Sequence, residues 1–173
     1  NDFVIIEKGG DVIPKVVDVC GEISKYYGKK NTKFICCPSE QLDSRLNFSS
    51  DYQKHFDSIF LSPPYFELEK YDGGEQSISN FPNYKDWLEG YWRATCEICS
   101  KVITDDGHFG FVVSDYKNKN WVSLSDDLLA IAQDYFDLEQ HYLLGWNSFK
   151  ILDSEKMKNG NFENFYFMKA KIK

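Results

Sequence analysis

Short apolar runs alternate along this chain with stretches in which apolar residues recur every three or four positions. Residues 3–6 are an unbroken apolar run closed by Glu7 and followed by Gly9-Gly10, which predicts a buried strand. Val12, Val16, Val19, Ile23, Tyr26 and Tyr27 fall at helical spacing, and Gly28 is a natural stop. Residues 34–37 make a second apolar run, ended by Pro38, and residues 57–61 a third, cut off by Pro63-Pro64. A polar loop over 66–82 follows, with Gly73-Gly74 and Pro82. Asn83 is placed to cap a long helix, with Asp86 three residues on in the capping-box position. Tyr84, Trp87, Leu88, Tyr91, Thr95, Ile98 and Val102 form its apolar stripe. Asp105-Asp106-Gly107 predicts a turn, residues 108–113 a strand ending at Ser114-Asp115, and residues 124–135 a helix. Residues 138–146 and 162–171 alternate as two long strands joined around Asn159-Gly160, which predicts an antiparallel pair at a sheet edge. Strands that alternate with helices predict an α/β fold with a mostly parallel sheet and an antiparallel C-terminal hairpin.

Composition narrows this picture. The chain has 173 residues, 42% of them hydrophobic and 17% aromatic, enough for one domain with a packed core. No apolar run is long enough to span a membrane, and no signal peptide is visible, so an intracellular protein with no membrane contact is expected. Five cysteines, an odd count without a regular framework, suit reduced thiols. Cys96 and Cys99 have the spacing of a redox or metal pair, but they sit within the long helix with no second pair, so a buried helix face is the stronger reading. The formal net charge is −7 and the pI about 5.0, which argues against strong nonspecific binding of nucleic acid by this domain alone.

The densest chemistry lies where the third strand ends, at Ser62-Pro63-Pro64-Tyr65. Two prolines fix φ near about −65° and remove two backbone donors. The chain must leave the sheet stiffly, and nearby carbonyls are free to face a ligand instead of the ladder. A hydroxyl, outward carbonyls and an aromatic ring suit a planar base that carries an exocyclic amine.

Ser62-Pro63-Pro64-Tyr65 resembles the catalytic [DNS]-P-P-[YFW] motif of the S-adenosylmethionine-dependent amino methyltransferases. These methylate cytosine N4 or adenine N6 in DNA, and relatives act on RNA guanine and on protein glutamine. The resemblance implies a Rossmann-like methyltransferase fold. It also implies that Ser62 and the Pro63 carbonyl accept from the target amine, with Pro64 holding the turn and Tyr65 stacking on a base flipped out of DNA. Phe66 is then a second wall or simply core. Glu69 and Tyr71 belong to a lid loop near the substrate, and Asp115 on the same rim either meets substrate or caps a helix. The family's Gly-rich cofactor turn, F-x-G-x-G, has no counterpart here. Residues 3–7 therefore align with the family's second strand, which makes Glu7 the expected grip on the ribose of S-adenosylmethionine, with Ser39 and Glu40 near its adenine. On this alignment residues 1–173 form a single, N-terminally truncated domain that lacks its first β-α unit, which a missing N-terminal segment or a partner subunit would supply. The alternatives are an RNA or protein-glutamine methyltransferase, and a non-catalytic methyltransferase-like subunit.

Overall fold

The computed structural model describes residues 3–7, 14–26, 32–68, 77–118, 120–145 and 162–171. Gly9-Gly10, Gly28, Gly73-Gly74 and the Asn159-Gly160 connection lie outside them. The described chain runs β1 (Phe3–Glu7), α1 (Pro14–Tyr26), β2 (Thr32–Cys36), a 3-10 turn at Ser39–Gln41, α2 (Leu42–Leu46), α3 (Phe48–Asp51) and β3 (Phe56–Leu61). It continues through α4 (Ser77–Asn80), α5 (Tyr84–Trp87), a π-helical stretch at Leu88–Arg93 and α6 (Ala94–Val102). Then come β4 (Ile103–Val113), β5 (Tyr116–Asn118), β6 (Asn120–Val122), α7 (Leu124–Ala132), β7 (Phe136–Gly145) and β8 (Phe162–Ala170).

β1 and β2 pair in parallel, Phe3 opposite Thr32 and Glu7 opposite Cys36. A second sheet has the order β3-β4-β8-β7, with β3 and β4 parallel and β8 antiparallel to both its neighbours. This is the α/β arrangement with a terminal antiparallel hairpin that the hydrophobic pattern predicts. Four features differ from that pattern. A short helix, α4, lies within the loop expected over 66–82. Residues 39–51 fold into short helical turns. Tyr116–Asn118 and Asn120–Val122 pair as a small antiparallel ladder, β5–β6. Asp105-Asp106-Gly107 does not end a segment: the β3–β4 ladder passes from Phe56 opposite Ile103 to Ser58 opposite His108, so these residues bulge within one long strand.

The sheet is packed on one face by the helices after β3. Phe109, Phe111 and Val113 of β4 and Tyr166 and Met168 of β8 are buried against Trp87, Tyr91, Trp92, Leu124 and Leu128. Trp92 donates to the Leu128 carbonyl at 2.9 Å, which ties the π-helical stretch to α7. Asn83 caps α5 as its position predicts, its side chain accepting from the Asp86 amide at 2.8 Å. Gly90 lies directly against the Phe81 ring, where a Cβ would collide with it. Cys96 and Cys99 are both buried on the core face of α6. A second core joins Ile35 of β2 with Leu42, Phe48, Ile98 and Val102.

Candidate active site at the end of strand β3

The apolar run of β3 holds it beside β4, Ile59 opposite Phe109 and Leu61 opposite Phe111, and the prolines then end the strand. Pro63 and Pro64 are buried and Ser62 is exposed. The turn thus roots its rings in the protein and presents the serine hydroxyl to solvent. Tyr65 is half-buried. Its hydroxyl accepts a hydrogen bond from the Ser114 amide at 2.8 Å, and its ring meets Tyr116 edge-on at 5.7 Å. The exit from β3 is therefore fastened to the exit from β4. Both lie at C-terminal ends of parallel strands, where open α/β sheets bind ligands.

Phe66 turns inward. It packs at 5.4 Å from Tyr84 and 5.8 Å from Trp87, and the Tyr116 hydroxyl donates to its carbonyl. Its ring also lines a pocket of about 450 Å³ with Glu67, Tyr84, Tyr116, Trp121 and Asp127. Aromatic walls and two carboxylates give this pocket a stacking surface and acceptors, the chemistry of an amine-bearing planar group and not of a phosphate. Tyr84 donates to Asp127 at 2.7 Å. Burial, and then that bond to Asp127, push its pKa well above the usual tyrosine value. Burial, followed by the charge of Glu67, pushes Tyr116 up to about 12. Both phenols are thereby kept as neutral donors. Glu67 adopts a left-handed backbone, φ 58°, and its carboxylate accepts from Asn118 at 3.4 Å.

The remaining residues singled out by the sequence fall in several places. Glu7 ends β1 opposite Cys36, at the C-terminal rim of that parallel pair. Ser39 and Glu40 form the turn after β2. Ser39 is buried and bonds the Thr95 hydroxyl at 2.5 Å, while Glu40 is half-buried. Asp115 accepts from both the amide (2.8 Å) and the hydroxyl (2.7 Å) of Ser125, which caps the first turn of α7. Glu69 and Tyr71 lie outside the described residues. Sequence reasoning missed Glu67, Trp121 and Asp127. The only cue to Trp121 was the turn-forming Asn118-Lys119-Asn120 just before it, which marks a hairpin.

The protein has the Rossmann-like fold of the S-adenosylmethionine-dependent methyltransferases. Its solved neighbours include TTHA0409 of Thermus thermophilus, a candidate DNA modification methylase: TM-score 0.55, 12% identity, over 79% of this chain and 53% of that one. TrmN, also of Thermus thermophilus, matches 98% of this chain and 36% of its own, at TM-score 0.58 and 12% identity. The N-methyltransferase NodS of Bradyrhizobium japonicum, solved with S-adenosyl-L-homocysteine, matches 99% of this chain and 67% of its own, at TM-score 0.59 and 11% identity. The chain thus spans about half the length of TTHA0409. No protein-family profile matches the sequence, and no curated protein matches it. Among the described residues no helix is long and apolar enough to cross a membrane.

Proposed function

We propose that this protein is an S-adenosylmethionine-dependent methyltransferase that acts on the exocyclic amine of a nucleobase in DNA, cytosine N4 or adenine N6. The observation that carries the reading is the turn after β3: buried Pro63 and Pro64, exposed Ser62, and a Tyr65 ring anchored through its hydroxyl. When bound, S-adenosylmethionine supplies an activated methyl group. The carboxylate that ends β1, Glu7, suits the two ribose hydroxyls of that cofactor, and the turn at Ser39–Gln41 follows the adjacent strand.

The target nitrogen is a poor nucleophile because its lone pair is conjugated with the ring. Ser62 and the Pro63 carbonyl accept its two hydrogens, which turns the lone pair out of conjugation. Tyr65 stacks on the extruded base and holds it for in-line attack. The amine's surplus proton leaves to solvent past Ser62. An RNA or protein-glutamine substrate is the second reading. The net charge of −7 and the carboxylates of the pocket favour the protein substrate over either nucleic acid, since neither attracts a phosphate backbone.

The test is transfer of labelled methyl from S-adenosylmethionine to duplex DNA, followed by nucleoside analysis, with RNA and total protein as parallel substrates. N4-methylcytosine or N6-methyladenine that is lost in Ser62→Ala is expected. Label confined to RNA or protein would replace DNA as the substrate. No transfer to any of the three by a protein that binds S-adenosylmethionine would remove the enzymatic reading and leave a non-catalytic subunit.

A further inference from the structure

We infer that the pocket beside the Ser62 turn binds a guanidinium group, the side chain of an arginine presented by a polypeptide. The inference rests on the pocket itself and goes beyond the question of which amine is methylated at Ser62.

The walls come from the exit of β3, the start of α5, the β5–β6 ladder and the first turn of α7. They carry ring faces and carboxylates. Three of the rings are fixed by their own contacts. Phe66 packs 5.4 Å from Tyr84, and the Tyr116 hydroxyl donates to the Phe66 carbonyl. The Tyr84 hydroxyl donates to Asp127 at 2.7 Å. Both phenolic hydrogens are therefore spent within the wall. The fourth ring, Trp121, is 62% exposed and offers an open face.

The carboxylates lack a counter-charge. Elsewhere Glu89 and Asp134 share Arg93, and Asp43 and Glu97 share Lys101. Among the described residues no lysine or arginine pairs with Glu67 or Asp127. Lys117, across the ladder from Trp121, does not line the pocket. Glu67 has the Asn118 amide at 3.4 Å and Asp127 has Tyr84, so each keeps lone pairs for donors that a ligand brings. A cation beside the rings would meet both charges and the ring faces at once.

The shape of that cation follows from the same groups. A quaternary ammonium stacks but has no hydrogen to donate. A lysine ammonium donates but is strongly hydrated and cannot lie flat on an indole. A guanidinium is planar and weakly hydrated and carries five N–H donors, so it does both. A nucleobase also stacks and donates, but it is neutral and leaves the two charges unmet. The volume, about 450 Å³, is that of a small-ligand site. A free amino acid would bring its own carboxylate toward Glu67, whereas an arginine within a chain brings only neutral amides.

The test follows the indole N–H signal of Trp121 by NMR, identified by its loss in Trp121→Phe, while N-acetylarginine amide is added. The expected result is a saturable shift with binding about tenfold tighter than that of N-acetylcitrulline amide, which has the same shape without the charge. Glu67→Gln and Asp127→Asn should each weaken it severalfold while the rest of the spectrum stays that of the folded protein. Equal binding of the citrulline compound, free arginine binding as tightly as the capped form, tighter binding of cytidine or adenosine, or no shift at all would each overturn the inference. Neither S-adenosylmethionine nor methyl transfer enters this measurement, so the proposed function stands or falls separately.

Discussion

Removing one oxygen atom, as Tyr65→Phe, separates the two jobs assigned to that side chain. The hydroxyl accepts from the Ser114 amide at 2.8 Å, at a site half-shielded from water. Its loss leaves that donor poorly served and should cost about 1 kcal/mol. For a chain of this size that lowers the melting temperature by about 2–4 °C. Tyr65→Ala loses the same bond, the edge-on contact with Tyr116 and the buried half of the ring. With about 2.5 kcal/mol from about 100 Å² at about 25 cal/mol per Å², about 1 from the bond and about 0.5–1.5 from the ring pair, its total cost should be about 4–5 kcal/mol. Thermal and urea unfolding of the three proteins measures both steps. On the functional side, Tyr65→Phe keeps the stacking face, so methyl transfer should fall by less than tenfold. Tyr65→Ala removes a stacking contact of about 1–3 kcal/mol and should lose roughly 5- to 150-fold in addition to any loss of folded protein. A Tyr65→Phe protein as stable as the parent would refute the anchor. Full turnover in Tyr65→Ala would refute the stacking.

Three further outcomes follow from the packing. Thr95 donates to the Tyr91 carbonyl at 2.7 Å, so the proton shared with Ser39 must come from Ser39. Thr95→Val therefore strands a buried donor and should cost about 1–3 kcal/mol, whereas Ser39→Ala should cost under about 1; equal costs in chemical unfolding would reverse the assignment. Gly90→Ala, ordinarily a gain in a helix, should destabilise by about 1–3 kcal/mol because the Phe81 ring occupies the space, and a rise in melting temperature would contradict that packing. Burial and Glu67 raise the Tyr116 pKa from 10.0 to about 12, so the folded state holds this proton more tightly than the unfolded chain. The resulting stability is complete below pH 10 and is lost as pH rises toward 12, by at most about 3 kcal/mol. Tyr116→Phe should flatten the pH dependence of unfolding in that window, and an unchanged slope would show that the phenol contributes nothing there.

The sequence disclosed those parts of the fold that report on themselves locally. Apolar runs and helical spacing marked β1, α1, β2, β3 and the long helix, because burial on a face imposes a period. Asn83 was readable as a cap because its partner lies three residues away. The prolines at 63 and 64 were readable for the same reason, since they constrain their own backbone wherever they stand. The bulge at residues 104–107 was not, because a turn-forming sequence does not reveal whether the chain turns back or continues in register; Ser58 opposite His108 decides that. The pocket was the least legible part. Glu67, Trp121 and Asp127 come from separate elements, and only the β5–β6 ladder and the start of α7 bring them together. Asp115 shows the same limit, since a carboxylate at a strand end reads alike whether it meets a ligand or, as here, bonds Ser125.

The left-handed backbone of Glu67 sets stability against chemistry at a single position. Glycine or asparagine would sit there with less strain, by roughly 1 kcal/mol. A laboratory selection for heat resistance alone should therefore replace Glu67 early. The survivors would have lost the negative wall of the pocket and, with it, part of the charge that keeps Tyr116 protonated. On the proposed function, and with this pocket as part of its site, heat-resistant descendants would transfer methyl groups more slowly until Glu67 was restored.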